Sequence, residues 1–512
     1  YSNAEYSNNI SSDDTADDQG GTDNKINTTV KFVDAANDDF HLAPDDTAAI
    51  DAGTTSSDVA GLEYDIDGDY RRTWDIGADE ASQYFVSTVM ESGGDFSSLS
   101  AWESANQVDL TATTTAVFSC SEATGTIPVG SSVIGETSGA TASTTVMSTS
   151  SNQILLYNIG VYSASSSAFI SGEKVYILGG STTTNYCILS NAGNPAIAVA
   201  KIDGTWSNPD TNAVTIDGWT TGEYNYIKIY TTDTARHRGK WDSGKYRLET
   251  SGIALYIQEE YIYIDGLQIK VAKSSPGNGR GILVDSNNNL DIYLSNNIIK
   301  GVFSGTADGS RGIQLDILSG NSGIARVWNN IIYGFENNGI GSYYIGIWCR
   351  AGWDAYVYNN TVYNNIQGIA KDSNPNIYAK NNIAQNCGSA CFSGTFDSSS
   401  DYNISSDGTA PGAHSKASTT VKFLDAANDD FHLDPTDTAA RNAGTVATTT
   451  GSFAGAQDDN WFDIDGTARG NAWDIGADEV PVEFVSTICE NTSAGGDCAT
   501  ADYHRLYDWE AD

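Results

Sequence analysis

One short segment carries acidic residues at alternate positions. It reads DIDGD from position 65 and returns as DIDGT from position 463, where a threonine replaces the third acid. Alternating carboxylates are typical of loops that supply oxygen ligands to Ca²⁺. An Asp-Gly turn between two strands is the alternative, because such a short motif often occurs without a metal. The candidate calcium ligands are Asp65, Asp67, Asp69, Asp463 and Asp465.

A second segment combines two acids with a histidine. NDDFHL occurs twice, and a carboxylate beside an imidazole is suited to general acid–base catalysis. Neighbouring side chains on a strand point to opposite faces, so a turn that leads into a strand is the interpretation we favour. The residues concerned are Asp38, Asp39 and His41 in the first copy and Asp429, Asp430 and His432 in the second.

Both segments belong to a long internal repeat. TTVKFVDAANDDFHL at Thr28–Leu42 returns as TTVKFLDAANDDFHL at Thr419–Leu433, and WDIGADE occurs at Trp74–Glu80 and at Trp473–Glu479. Matches that keep their order over this distance indicate a repeat unit of about 400 residues. The chain therefore spans one full unit with an overlap. We expect partial units at both of its ends.

A shorter period marks the middle of the chain. Asn-Asn pairs begin at positions 296, 329, 359 and 381, and Gly-Ile pairs begin at positions 281, 312, 346 and 368. Three short strands per period cannot form a core alone, but stacked coils can bury one continuous interior. Asn at a corner tolerates the left-handed conformation and can bond to the Asn one coil along. The pattern predicts an all-β fold, a right-handed parallel β-helix.

Several motifs together resemble a known family. They are GGDFSSLSAWESANQVDL from Gly93, VTIDGWTTGEYNYIKIYT from Val214, RHRG from Arg236, the Asn-Asn-Ile coils and the closing DIDGDYRRTWDIGADE from Asp65. The chain is similar to the secreted right-handed parallel β-helix proteins with pectate-lyase-like coils of environmental bacteria and archaea. The resemblance implies the fold, and it implies little about function because one fold serves many roles.

The repeat and the coil marks suggest boundaries along the chain. A stretch without coil marks predicts a small inserted β module, and SSLSAWESAN before it predicts a short capping helix. The expected segments are 1–83, the closing segment of a preceding unit; 84–112, an N-terminal cap; 113–191, the inserted module; 192–400, the coils; 401–483, a second closing segment; and 484–512, the start of the next unit.

Enzymes on this fold suggest where catalysis would lie. Arg280 and Arg311 each precede Gly-Ile, and Asp285 and Asp316 each follow five residues later. Stacked on neighbouring coils, the two acids could share a cation, as in a lyase. No base is evident beside them, and a surface ladder of turn acids and coil-edge arginines is the alternative we favour. We therefore assign no catalytic residue.

Composition excludes some partners. With 66 acidic and 26 basic residues the net charge is −40, which opposes binding to nucleic acid or to anionic membranes. No apolar run approaches the length of a membrane span. Cysteines four and nine positions apart indicate short-range disulfides in an oxidising compartment, so we expect an extracellular or cell-surface location. These pairs are Cys387 with Cys391 and Cys489 with Cys498, while Cys120, Cys187 and Cys349 have no evident partner.

Carbohydrate enters the sequence analysis in two ways. Sequons give candidate glycosylation sites, which an Asn-rich and Thr-rich chain also produces by chance. Trp353, in RAGWDAY, is the best candidate for an exposed ring that stacks on a sugar. The candidate glycosylation sites are Asn9, Asn27, Asn359, Asn403 and Asn491.

The long repeat favours a structural role. A second in-line copy adds length, which serves a stalk or filament more directly than an enzyme. At about ten coils and ~4.8 Å per strand, one unit would rise roughly 40–60 Å. We expect copies joined head to tail in an extracellular filament without catalysis. The alternatives are a polysaccharide lyase or hydrolase, and a carbohydrate-binding adhesin or phage fibre.

Overall fold

The computed structural model describes most of the chain, and the statements below refer to the described residues. Tyr1–Glu479 form one compact unit, to which the description applies. No helix in the described part of the chain is long and apolar enough to cross a membrane. The described ranges are 7–17, 23–35, 39–42, 46, 48–50, 52–54, 74–79, 84–161, 169–191, 193–274, 278–286, 290–304, 309–317, 323–336, 343–350, 352–372, 375–447, 462–470 and 472–481.

Three parallel sheets form the coils, which confirms the predicted parallel β-helix. Sheet A contains β3 (Tyr84–Val89), β10 (Ile197–Ile202), β12 (Ile227–Thr231), β15 (Ile262–Asp265), β18 (Leu290–Ser295), β21 (Gly323–Trp328), β24 (Trp353–Tyr358) and β27 (Asn376–Lys380). Sheet B contains β11 (Val214–Ile216), β14 (Ile253–Ile257), β17 (Arg280–Ser286), β20 (Arg311–Ile317), β23 (Ile345–Cys349), β26 (Gln367–Lys371) and β29 (Ala390–Ser393). Sheet C contains β13 (Leu248–Thr250), β16 (Gln268–Lys273), β19 (Ile298–Phe303), β22 (Ile331–Tyr333), β25 (Thr361–Tyr363), β28 (Ile383–Gln385) and β30 (Ile404–Ser405).

Stacking of coils in register builds the interior. On sheet A, Leu294 pairs with Val327 and Val327 pairs with Val357, and all three side chains are fully buried. Each strand is too short to bury its own apolar face, so the coil above and the coil below must cover it. The eight strands of sheet A would rise by roughly 34 Å at about 4.8 Å per step.

The corner between sheets A and C is made of the Asn-Asn pairs. The first Asn of each pair turns the chain in the left-handed conformation, with φ of 54° at Asn329 and 53° at Asn359. The second Asn forms a buried ladder: Oδ1 of Asn360 accepts hydrogen bonds from the backbone N and from Nδ2 of Asn330, both at 3.0 Å. The ladder runs through Asn297, Asn330, Asn360, Asn382 and Asn403.

The inserted module is a closed antiparallel barrel between the first two strands of sheet A. Cys120 and Cys187, which have no evident partner in the sequence, form a disulfide across two of its neighbouring strands. Pairing in the barrel brings together residues 67 positions apart. The barrel strands are β4 (Ala116–Thr124), β5 (Ser132–Gly135), β6 (Ala140–Ser148), β7 (Gln153–Val161), β8 (Lys174–Ile177) and β9 (Tyr186–Leu189).

A short helix, α1 (Leu99–Asn106), precedes the barrel. Ser98 is its N-cap, and its hydroxyl accepts a hydrogen bond from the backbone N of Ala101 at 3.2 Å. Trp102 is fully buried and stacks on Trp219 from the coils, with ring centroids 5.8 Å apart. The helix therefore covers apolar coil residues. The segment expected to be only a cap also supplies β3, the first strand of sheet A.

The two closing segments contain matching hairpins. The first copy has β1 (Phe32–Asp34) and β2 (Asp39–Leu42), and the second has β31 (Phe423–Asp425) and β32 (Asp430–Leu433). In each copy the leucine N–H donates to an aspartate Oδ2 at 2.6 Å, with Asp79 as acceptor in the first copy and Asp478 in the second. Short 3₁₀ turns lie at Thr15–Asp17 and Ala426–Asn428.

Candidate functional site

The second closing segment lies against the outside of sheet C. Phe431 is 2% exposed, and its ring centroid lies 4.8 Å from that of Tyr333 and 5.1 Å from that of Tyr363. Phe423 packs edge-on against Phe431 at 5.6 Å. Ile298, at the start of β19, belongs to the same buried cluster. The hairpin of β31 and β32 thus packs on successive coils.

Two side-chain amides and one backbone carbonyl at the A–C corner bind the closing segment. Nδ2 of Asn329 donates to the carbonyl of Phe462 at 2.7 Å. Nδ2 of Asn381 donates to the carbonyl of Thr445 at 2.6 Å, and the Asn381 carbonyl accepts from the N–H of Gly476 at 2.8 Å. The left-handed turns aim these amides outward. The corner therefore provides a repeating set of donors and acceptors.

Arg469 secures the same contact from the closing segment. Its guanidinium is fully buried and donates to Asn329 Oδ1 at 3.1 Å and to Glu479 Oε2 at 3.2 Å. It also donates to the carbonyls of Gly476 and Ala477 at 3.0 and 3.1 Å. These bonds satisfy the two terminal nitrogens of the guanidinium, while its Nε is buried without a partner. A buried charge is costly unless it is paired and hydrogen-bonded in this way. Arg469 thus bonds both to residues of its own closing segment and to Asn329 at the A–C corner of the coils.

The paired acids of NDDFHL contact two lysines of the coils. Asp429, with φ of 62°, ends the 3₁₀ turn and contacts Lys300 through an Oδ2–Nζ distance of 2.5 Å. Asp430 begins β32 and contacts Lys240 through an Oδ2–Nζ distance of 3.1 Å. A turn into a strand with diverging acids is the arrangement favoured from the sequence. The two acids attach the segment to the coils.

His432 lies at the centre of an acidic group. Its Nδ1 is 2.6 Å from Asp430 Oδ1 and its Nε2 is 3.5 Å from Asp465 Oδ2. The hydrogen bond with Asp465 raises the pKa of His432 to about 9, while burial raises the pKa of Asp478 to about 6. An added Cβ at Gly239, whose φ is +69°, would collide with the imidazole. A protonated imidazole thus offsets part of the negative charge of these carboxylates at neutral pH.

In the second copy, the Asp463 carboxylate that the sequence predicted as a calcium ligand accepts backbone hydrogen bonds. Asp463 Oδ1 accepts the N–H groups of Asp465 and Thr467 at 3.1 and 2.7 Å, and Oδ2 accepts the N–H of Glu479 at 2.9 Å. Burial and the neighbouring Asp465 raise the pKa of Asp463. His432, Asp465 and Asp478 offer potential metal-ligand atoms within 4.8 Å of one another. Asp65, Asp67 and Asp69 lie outside the described residues.

The first closing segment has a groove on the surface that is equivalent to the one through which the second closing segment contacts the coils. The groove has a volume of about 660 Å³. Phe40 is 57% exposed and Phe32 is 39% exposed, whereas Phe431, the counterpart of Phe40, is buried. Asn8, Asn9, Ile10, Val30, Phe32, Phe40, Leu42, Ile76, Gly77, Ala78 and Asp79 line the groove.

Trp353 is not the exposed sugar-stacking residue that the sequence suggested. It is 2% exposed and begins β24 with its side chain in the interior, in register with Gly323 on the preceding coil. Glycine has no side chain, which leaves space for the indole. The alternation continues with Ala355 and Val357, both fully buried. A ring in this position offers no face to a carbohydrate.

Two of the sequons are structural corners. Asn359 and Asn403 are fully buried at the A–C corner, so neither is accessible as a glycosylation acceptor. Asn-Asn-Thr and Asn-Ile-Ser occur there because the ladder requires Asn before a strand. Asn9 and Asn27 are exposed. Asn491 lies outside the described residues.

The structure joins Cys387 to Cys391 by a disulfide between sheets C and B. Cys349, in β23, is a buried free thiol, and burial raises its pKa to about 12. Cys489 and Cys498 lie outside the described residues.

The carboxylates of sheet B stack as the sequence suggested. Asp285 and Asp316 are direct neighbours in the register of β17 and β20. Asp316 pairs with Arg350, and burial followed by the charge of Asp316 raises the pKa of Asp285. Arg280 donates to the carbonyl of Gly279 at 3.0 Å. Tyr256 Oη donates to Asp285 Oδ2 at 3.4 Å and Gln314 Nε2 donates to Asp316 Oδ2 at 3.1 Å, so each acid is hydrogen-bonded to a side chain of sheet B.

Comparison with known proteins gives no match: no family model and no curated protein sequence matches this chain. The sequence pointed to Asp429 and Asp430, which contact the coils, but it did not predict the packing of Phe423 and Phe431 on sheet C. The conserved spacing of two phenylalanines within the duplicated segment, Phe423 and Phe431, was the available signal.

Proposed function

We propose that this chain is a structural protein, a tandem-repeat β-helix that forms an extracellular or cell-surface filament by head-to-tail joining of its units. The observation that carries the proposal is the duplicated closing segment. One copy packs on the coils that precede it, and the same segment recurs immediately before the first coil strand. Phe431 and Phe40, equivalent in sequence and opposite in exposure, mark the two ends of one link.

The order of elements supports a linear arrangement. The first closing segment reaches Asp79, and β3 of the next coil stack begins at Tyr84. A linker this short places one unit directly after another. Identical contacts repeated in one direction give an open line of subunits. Each added unit then makes the filament longer.

The surface chemistry suits an extracellular filament. The described part of the chain contains two disulfides, which are common in oxidising compartments. A net charge of −40 keeps neighbouring filaments apart by repulsion. The acids at the closing segment contact lysines and an imidazolium, so they serve attachment. The proposal requires no catalytic step.

Electron microscopy of the native material tests this function. We expect fibres with an axial repeat of roughly 40–100 Å, a length that one unit of coils fills at about 4.8 Å per strand. Dispersed single particles at high protein concentration would contradict the proposal. Screening those particles for cleavage or binding of acidic polysaccharides would then test the alternatives.

A further inference from the structure

We infer that the groove of the first closing segment is a docking surface for a second copy of the β-helix coils, which it holds at their A–C corner. The inference rests on the proposed function and names the partner at each joint. It is carried by a comparison within one chain. Three features of the described first closing segment match features that contact the coils in the second copy, and two acids match in the sequence.

The first feature is a strand edge. Ile404, in β30, pairs in parallel with Ile383 of the preceding coil on one side and with Lys416 on the other. Its counterpart Ile10 pairs in parallel with Lys25, the counterpart of Lys416. Among the described residues no coil strand pairs with Ile10. The open side of this residue is therefore suited to one more parallel strand.

The second feature is the last rung of the Asn ladder. Oδ1 of Asn403 accepts hydrogen bonds from the N–H and from Nδ2 of Asn382, at 3.1 and 2.9 Å. Its own backbone N donates to Ser415 Oγ at 2.9 Å, and the N–H of Asn9 likewise donates to Asn24 Oδ1 at 2.9 Å. Asn9 is thus held like a terminal rung while its side chain is exposed. The side chain that completes this rung in the second copy comes from a coil.

The third feature is an apolar pair. The rings of Phe32 and Phe40 meet at 5.6 Å and 83°, and those of Phe423 and Phe431 meet at 5.6 Å and 80°. The hairpin therefore forms the same aromatic surface with or without a partner. In the second copy this surface is covered by Tyr333 of sheet C. Exposed aromatic rings in a preformed groove are typical of a docking surface.

Charge selects the same occupant. The acids that contact Lys300 and Lys240 in the second copy are Asp429 and Asp430, and the sequence retains both as Asp38 and Asp39. A coil stack brings two lysines to these acids together with a strand edge and an Asn rung. A second copy of the coils supplies all of these groups in one spatial arrangement.

A tandem chain tests the docking directly. Residues 84–401 are added upstream of Asn8, so that the first closing segment follows a second coil stack. Phe40→Cys is combined with Tyr333→Cys in the added stack, and a short thiol cross-linker is applied. We expect an efficient cross-link, equal to that of the matched pair Phe431→Cys with Tyr333→Cys in the original chain. We also expect the added stack to slow the labelling of Phe40→Cys by maleimide about tenfold or more.

Two outcomes would overturn the inference. One is cross-linking no better than that of Phe40→Cys with Val129→Cys on the barrel, while the matched pair reacts. The other is unchanged labelling of Phe40→Cys in a tandem chain whose circular dichroism per residue equals that of the original. Microscopy separates this inference from the filament: cross-linked single particles would refute only the filament, and fibres without the cross-link would refute only this joint.

Discussion

The ring centroid of Phe431 lies 4.8 Å from that of Tyr333, and this contact joins the second closing segment to sheet C of the coils. Phe431 is 2% exposed, whereas Phe40, the same residue of the other copy, is 57% exposed. The two positions share their neighbours in sequence and their hairpin geometry. The coils account for the difference, so the pair provides an internal control for what the contact contributes.

Phe431→Ala should strongly destabilise the attachment of the closing segment. We expect a loss of about 3–5 kcal/mol in the free energy of unfolding, because a buried ring leaves a cavity against Tyr333 and Tyr363. Phe40→Ala is the matched control and should cost less than about 1 kcal/mol. Denaturant unfolding measures both. Equal losses for the two variants would contradict a contact specific to the coils.

Asn360→Ala should interrupt the ladder. The change leaves the backbone N–H of Asn330 without its acceptor and removes the bonds from Asn360 Nδ2 to the carbonyls of Val327 and Tyr358. Each buried polar group left unpaired costs about 1–3 kcal/mol. We therefore expect a loss of about 3 kcal/mol in the free energy of unfolding. Asn376→Ala is the control, because Asn376 is exposed and bonds to Asp354 at the surface. A ladder without energetic importance would give similar values for the two variants.

The attachment of the closing segment should weaken at alkaline pH. His432 has an ordinary pKa of 6.5 that the folded protein raises to about 9, so its stabilisation is complete below about pH 6.5 and is lost as pH rises through 9. Asp478, whose pKa burial raises from 3.8 to about 6, also loses stabilisation as pH rises, but it does so below pH 6, so the change above pH 7 reports on His432. Limited proteolysis of residues 421–479 between pH 6 and 10 measures the effect, and we expect faster cleavage at the alkaline end.

His432→Gln is the control for this pH dependence. The variant should be cleaved faster than the parent at pH 6 and should lose most of the change between pH 7 and 10. Direct titration of the imidazole by nuclear magnetic resonance gives the pKa itself. A value near 6.5 would show that the acidic neighbours do not hold the proton.

The two disulfides should contribute unequally. Cys120–Cys187 closes a loop of 67 residues, which corresponds to about 4 kcal/mol of loop-closure entropy, while Cys387–Cys391, with a separation of four, corresponds to about 2 kcal/mol. The double substitution Cys120→Ser, Cys187→Ser should therefore lower the melting temperature of the barrel more than Cys387→Ser, Cys391→Ser lowers that of the coils. Calorimetry of the two variants compares them. A larger effect from the short loop would contradict this ranking.

The coil architecture could be predicted because it is written in local residue types. Asn329 and Asn330 recur as a pair since one must turn the chain and the other must bond to the next coil. Gly312 before Ile313 marks the start of a sheet B strand in the same way. Such marks depend on backbone conformation, which adjacent residues determine. The positions of the coils could therefore be predicted from these residues alone.

Contacts between distant segments could not be predicted in this way. The inward direction of Trp353 depends on Gly323, one coil away, and the disulfide of Cys120 depends on barrel pairing with β9. The docking of Phe431 depends on which coil it reaches. The duplicated segment signalled that these residues matter, but only the packed coils give them a partner.

The central claim is that the two closing segments have the same docking surface and that only the second has coils bound to it. A reciprocal exchange of residues 9–80 and 403–479 tests this claim most directly. Hydrogen exchange is then measured on the peptides that contain Phe40 and Phe431. The account predicts that protection follows position: the Phe40 peptide becomes protected about tenfold or more beside the coils, and the Phe431 peptide loses its protection. Protection that stays with the Phe431 sequence wherever it is placed would contradict the account.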